Sequence, residues 1–349
     1  MRYAWLAALL AGCGVAVPAA TRPPGCGGPA SPSRLGAIDF LSPRLGVGLT
    51  TPSARCRPML AVTHDGGSHW LTAGSPLPGG GSNVEHVVAT STTDVWAAAG
   101  SDPLMATTDG GANWAAETPP GRVVALALTG RTVWMLACLG GSRYSCVSVL
   151  LRMVLPRGAW TISSPKLAST TPPELAFAGR RRVVISAAGS LVIVSDRGQR
   201  SVTLSDPTWM GRPCQAAAFA AAGPNWWLLC LGGAAAGSSE KALLDTTDGG
   251  RIWTTASQVT SLTTPAHPGE ITLEEPTSLA AGSPRRLWLA ALNNLYTSDD
   301  GGSQWNQVPG PDPQGSPASF DVLSPTHAWL LAAGEGLWRT TDGRHWRAL

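Results

Sequence analysis

The chain carries 22 carboxylates, and five of them recur in one short phrase, Thr/Ser-x-Asp-x-Gly-x-x-Trp. Asp65 sits in THDGGSHW (63–70), Asp109 in TTDGGANW (107–114), Asp248 in TTDGGRIW (246–253) and Asp300 in SDDGGSQW (298–305). Asp342 lies in a copy one residue shorter, TTDGRHW (340–346). The closing aromatics are Trp70, Trp114, Trp253, Trp305 and Trp346. An aspartate beside glycines could ligate calcium or accept backbone N–H groups. A calcium loop needs more carboxylates per turn than one, so turn-making is the better fit. The carboxylate accepts amides inside a turn, glycine permits positive φ, and the indole covers the turn with a large apolar ring.

Five other carboxylates, Asp39, Glu270, Glu274, Glu275 and Asp321, are candidates for hydrolysis, which needs two carboxylates that converge. Spacing alone does not bring any two of them together. Glu274 and Glu275 fall in the insertion PGEITLEEPTS, which reads as an exposed loop. No GxSxG, HExxH or P-loop motif occurs, and the six histidines lack ligand spacing, so no metal or cofactor and no catalytic residue is assigned. A net charge of +3 and a pI of about 8.6 are too mild to imply a nucleic-acid partner. Two basic clusters, Arg180-Arg181-Arg182 and Arg285-Arg286, read either as solvated turns or as a small patch for an anion or a partner.

Each phrase follows a short apolar run, the pattern of a strand entering a hairpin turn. A looser phrase, an apolar strand, a turn and a second strand often bearing Trp, occurs at Ile38, His86, Val123, Leu175, Ala216, Ser278 and Ser319. Where a turn phrase is due after the third and fourth of these, RMVLPRGAW lacks Asp and VSDRGQRS lacks Trp; both read as decayed copies. The units average about 46 residues, the length of a four-stranded propeller blade. With 41 Gly, 29 Pro and no long amphipathic helical stretch, the expectation is an all-β chain over 37–349. It forms a single β-propeller of seven four-stranded blades, six or eight being the alternatives. Each blade is built from contiguous sequence, and the ring closes by packing.

The N-terminus, MRYAWLAALLAGC, is apolar but shorter than the roughly 20 residues a membrane span needs, and reads as a secretory signal over 1–12. Leu10-Ala11-Gly12-Cys13 resembles the bacterial lipobox, which implies cleavage before Cys13 and lipid attachment to it; the alternative is cleavage near Ala20 and free secretion. Residues 13–36, rich in Pro and Gly, would form a lipidated tether. Six cysteines then remain in a chain bound for an oxidising compartment. Hairpin geometry suggests the pairs Cys138–Cys146 and Cys214–Cys230, leaving Cys26–Cys56 to tie the tether to the first blade.

The turn phrase resembles the Asp box, or BNR repeat, of sialidases and many other propellers. The resemblance implies a position between the third and fourth strands of a blade, away from the binding face. Sialidases also need an arginine triad and a Tyr nucleophile with a Glu partner. The Arg-Ile-Pro motif is absent here, and Tyr144 and Tyr296, the tyrosines past the signal, show no recognisable Tyr–Glu arrangement. In size and layout the chain is similar to single-propeller, BNR-like proteins related to the photosystem II assembly and stability factor. The expectation is therefore a monomeric, extracytoplasmic, lipid-anchored propeller that binds a protein or glycan of the cell envelope without catalysis. A glycan-active hydrolase, sialidase-like or otherwise, is the alternative.

Overall fold

The computed structural model describes residues 26–349 apart from 54–55, 80–83, 100–102, 143–144, 156–157, 164–165, 170–173, 178–181, 188–189, 196–202, 205–207, 210–211, 263–268, 293, 311–317 and 333–335. Cys13 and the signal segment lie outside these residues, as do Arg180, Arg181 and the side chains of Arg182 and Cys146.

The described chain is strand after strand, with one 3-10 turn at Pro32–Arg34. Strands pair antiparallel with their sequence neighbours in sheets spanning 35–73, 84–116, 122–169, 174–204, 215–259, 276–308 and 318–348, alongside a two-stranded ribbon at Thr208–Trp209 and Arg212–Pro213. Among the described residues, five sheets have four strands and two have five. The first strand of each sheet packs on the first strand of the next, and Ala318–Val322 returns to pack on Leu35–Phe40. The fold is an all-β propeller.

The second strands explain how the sheets hold together. Gly46–Thr50, Val95–Ala99, Leu287–Ala291 and Ala328–Ala332 are buried at every position. Alternate residues face opposite sides of a strand, so burial on both sides means each sheet is covered by two neighbours. The core is accordingly a series of layers between sheets: Val47, Leu49, Leu60, Val95, Ala97 and Met105 pack in one, and Leu229, Leu243, Leu287 and Leu289 in another. This is why the second strands read as unbroken apolar runs rather than alternating ones.

No strand is shared between the first and last sheets. The segment read from sequence as the end of a tether is instead part of the first sheet: Pro29 and Ala30 pair with Leu71 and Trp70 as an added outer strand. Thr72 fixes it, its hydroxyl accepting the Gly28 N–H at 2.8 Å and donating to the Gly28 carbonyl at 2.9 Å. The chain then crosses to the last sheet, where Pro32–Arg34 packs on Gly336–Thr340, before entering the inner strand at Leu35.

Antiparallel order gives the ring two unlike ends. Turns between first and second strands lie beside turns between third and fourth strands, as Gly66 N–H to Arg44 O (2.8 Å), Gly110 N–H to Thr93 O (3.1 Å) and Gly301 N–H to Arg285 O (2.9 Å) show. The connections from second to third strand, and from one sheet to the next, emerge at the other end. We call these the turn end and the loop end.

Candidate functional site

All five phrase aspartates lie at the turn end and do the same work. Thr63 donates its hydroxyl to Asp65 Oδ1 at 2.9 Å and accepts the Gly67 N–H at 2.9 Å, while Asp65 Oδ1 also accepts the His69 N–H at 3.0 Å. The pattern recurs at Thr107/Asp109, Thr246/Asp248, Ser298/Asp300 and Thr340/Asp342. The first glycine runs at positive φ, 79° at Gly66, and a Cβ there would meet the Pro43 carbonyl oxygen at 2.6 Å. Burial acts to raise the Asp65 carboxyl, but the bonds from His69 and Thr63 together outweigh it and hold it at about 2. Asp109, Asp248 and Asp342 are likewise held below the usual range by the donors around them.

The tryptophans divide into two sets that the sequence phrase did not separate. In three copies the phrase's own Trp donates to the second glycine carbonyl, Trp70 to Gly67, Trp253 to Gly250 and Trp305 to Gly302, at 2.9 to 3.1 Å, while Trp114 donates to the Ser75 carbonyl at 3.3 Å. A different Trp, on the second strand of the preceding sheet, donates to the first glycine carbonyl: Trp227 to Gly301 (2.8 Å), Trp288 to Gly343 (3.0 Å) and Trp329 to Gly66 (2.9 Å). The turns at Gly66–Gly67 and Gly301–Gly302 therefore both fasten their own sheet and receive their neighbour. In the short copy Gly343 does both glycines' work, and the buried Trp346 indole N–H has no hydrogen-bond acceptor among the described residues. The sequence signal was present as Trp227, Trp288 and Trp329 in the looser phrase, but Trp134 at the same register position donates to Thr129 of its own sheet instead, and nothing in one strand names a carbonyl in the next sheet.

Arg285 and Arg286 are engaged in the same network rather than free. Arg286 donates to the Gly343 carbonyl at 3.1 Å and pairs with Asp299, which Arg344 also meets at 3.1 Å; Arg285 donates to the Asp299 carbonyl at 3.1 Å. Arg339, unmarked in sequence, bonds the Asp65 and Gly66 carbonyls across the meeting of last and first sheets, each at 3.1 Å.

The loop end is braced differently. Cys214–Cys230 is a disulfide, as hairpin geometry suggested, Cys26–Cys56 is another, the remaining pair expected, and Cys138 is disulfide-bonded as well. The hairpins Thr132–Ser142/Ser145–Val154 and Asn225–Ala235/Ser238–Thr246 are the longest strand pairs of the fold and project here. Beside the second, Lys241 is completely buried, its ammonium donating to the carbonyls of Ser239 (3.0 Å), Thr272 (2.7 Å) and Glu274 (2.7 Å). Burial pulls this amine down to about 8, while Glu275 and Glu274 hold it up.

Lys241 thus staples the Glu270–Glu275 stretch to the hairpin, and this stretch is not a loose loop. A Tyr–Glu contact that sequence did not reveal is present: the Tyr296 hydroxyl donates to Glu274 Oε1 at 3.1 Å and meets the Thr272 hydroxyl at 3.0 Å. Burial first, then Glu274, raises the Tyr296 hydroxyl, the opposite of what a nucleophilic phenolate needs.

Of the five candidate carboxylates, Asp39 and Asp321 converge. Both lie on inner strands and are half-buried. Asp321 Oδ2 accepts the Phe40 N–H at 2.5 Å, and Asp39 Oδ2 accepts the Ala89 N–H at 2.6 Å. Burial pushes Asp39 up to about 6 against the pull of the Ala89 amide. Asp321 is raised well above the ordinary range, by burial and by Asp39. Two like carboxylates this placed favour one remaining protonated.

No family model and no curated protein matches the sequence. Solved structures do match in fold. YCF48 bound to D1 peptide superposes with a TM-score of 0.63 at 16% identity, covering 93% of this chain and 99% of that one. YCF48 from Cyanidioschyzon merolae gives 0.59 at 15%, covering 90% and 98%. An ancestral GH74 enzyme gives 0.62 at 12%, covering 95% of this chain but 48% of its own. In architecture, then, this chain is a β-propeller similar to YCF48 and to about half of a GH74 enzyme.

Proposed function

We propose that the chain is an extracytoplasmic, lipid-anchored, seven-bladed propeller that binds an envelope partner at its loop end and performs no catalysis of its own. The observation that carries this reading is the contrast between the ends. At the turn end the carboxylates, hydroxyls and glycine carbonyls of the repeat turns bond one another and neighbouring sheets. At the loop end, disulfides and a buried lysine hold long hairpins and connections in place, the preorganisation that lowers the cost of binding. Connections on a rigid scaffold are where recognition usually sits. Seven is the number of sheets whose inner strands pack in succession back to the first. The disulfides fit an oxidising compartment, and Leu10-Ala11-Gly12-Cys13 supports anchoring through Cys13. YCF48, similar in fold, has been solved bound to a peptide, which makes a polypeptide segment the first partner to try.

Crosslinking followed by pull-down from membranes should recover a defined partner, and hairpin substitutions at the loop end should abolish recovery. Recovery of nothing above background would sink the reading. Cys13→Ser should release the protein from membranes; unchanged retention would rule out lipidation.

A second reading rests on one specific observation, the meeting of Asp39 and Asp321: a glycan-active hydrolase that divides acid and base roles between them. Turnover on a panel of glycosides that disappears in both Asp39→Asn and Asp321→Asn would promote it. Against it stands the use of one oxygen of each carboxylate on a backbone amide.

A further inference from the structure

Register places one residue of every inner strand opposite the same point of the second strand. These are Asp39 (opposite Val47), Val88 (Trp96), Ala127 (Trp134), Ala176 (Val184), Ala220 (Trp227), Ala280 (Trp288) and Asp321 (Trp329). Five are aliphatic. The two aspartates occur on the first and last inner strands, where the ring closes without a shared strand. Each reaches the backbone of the following sheet one residue beyond the equivalent position: Asp321 to Phe40, Asp39 to Ala89. The same seam contains Trp329 stacked on Phe40, with ring centroids 3.6 Å apart.

We propose that Asp39 and Asp321 make this seam a pH-sensitive latch, tight while the pair carries a proton and loosened when both are ionised. A protonated carboxyl still accepts a backbone N–H through an oxygen, so the bonds to Phe40 and Ala89 survive protonation. Two adjacent carboxylates half-buried between packed strands do not both ionise without repulsion. Of the strands packed on the pair, Gly46–Thr50, Pro276–Ala281 and Ala328–Ala332 have no titratable residue, and Val84–Ala89 has Glu85 and His86 at its start. His86 lies three residues from Ala89, about 10 Å along a strand. The direction of the shifts agrees. An acid raised in the fold costs nothing below its unfolded pKa, and the cost grows as pH climbs through the folded one. The window therefore opens near 4, reaches the Asp39 value of about 6 and extends above it for Asp321.

The test uses the full chain and needs no partner, so its outcome is separate from that of the binding reading. Thermal midpoints and amide hydrogen exchange at Phe40 and Ala89 are followed from pH 4.5 to 8 for wild type, Asp39→Asn, Asp321→Asn and the double variant. The wild type should lose several degrees, roughly 4–8 °C per kcal/mol for a small domain and less for a ring this size. Exchange at Phe40 should quicken with pH beyond its intrinsic base catalysis. The double variant should lose both dependences. Parallel pH profiles in wild type and double variant would overturn the latch. Should the double variant fail to fold, the wild-type exchange at Phe40 decides alone: protection that is flat with pH, after intrinsic correction, overturns it equally.

Discussion

The aspartates of the repeat turns and those of the seam are the same residue under opposite physics. Asp65 and its counterparts stand at the exposed turn end, where water still solvates the charge and amide and hydroxyl donors converge on one oxygen. At Asp65, Asp109, Asp248 and Asp342 the charge is favoured and the pKa falls. Asp39 and Asp321 each receive a backbone amide too, but between packed strands and beside each other. There, desolvation and repulsion outweigh one donor and the pKa rises. Accepting a hydrogen bond does not by itself set the sign; the number of donors against the water lost does.

The strongest way to probe the seam side of this contrast is to empty it. Trp329→Ala removes a fully buried indole, its bond to Gly66 and its stack on Phe40, and should cost about 3–5 kcal/mol in denaturant unfolding. A loss below about 1 kcal/mol would show that the ring closes by other means. On the turn side, Asp109→Ala leaves the Asn113 amide and the Thr107 hydroxyl without their shared acceptor. That should cost about 1–3 kcal/mol and leave partner capture intact; selective loss of capture with unchanged unfolding would move these turns into the binding site.

The pH profile sharpens the contrast further. Asp65, Asp109, Asp248 and Asp342 contribute stability above about pH 4, which is lost as pH falls, through about 2 in the case of Asp65. The seam pair subtracts stability as pH rises past about 4. Melting temperature should therefore peak in mild acid. Asp65→Asn should shrink only the acid limb, by its own share among the turn aspartates, and Asp39→Asn with Asp321→Asn should flatten only the neutral one; a single variant that changes both would erase the distinction. The smallest effect belongs to His69, whose ring meets Asp65 at 2.6 Å with 88% of its side chain exposed. His69→Ala should change stability at pH 7 by only a few tenths of a kcal/mol, since exposed pairs are weak.

The repeat turns were legible because all their parts lie within eight residues, so the hydrogen bonds that define them are local. The disulfide Cys214–Cys230 was legible for a related reason, since a single hairpin brings both cysteines to the same end, although the register sets Cys230 opposite Ala216. Arg285 and Arg286 show the limit: a basic pair in a turn looks free until the Gly343 carbonyl of the next sheet is seen above it. Tyr296 and Glu274, 22 positions apart, meet because the connection folds back over a hairpin, which no strand pattern encodes.

What the sequence determined by itself was the unit: strand lengths, turn chemistry, its repetition and hence an all-β ring of stacked sheets. These follow from side-chain period and local bonding. Tertiary structure decided which unit touches which. It keyed the second-strand tryptophans to their neighbours' glycines, turned part of a tether into an outer strand, buried Lys241 under three carbonyls, and set Asp39 against Asp321, 282 positions away, at the one junction the chain does not make covalently. Those contacts depend on closure of the ring, and closure is a property of all the sheets at once.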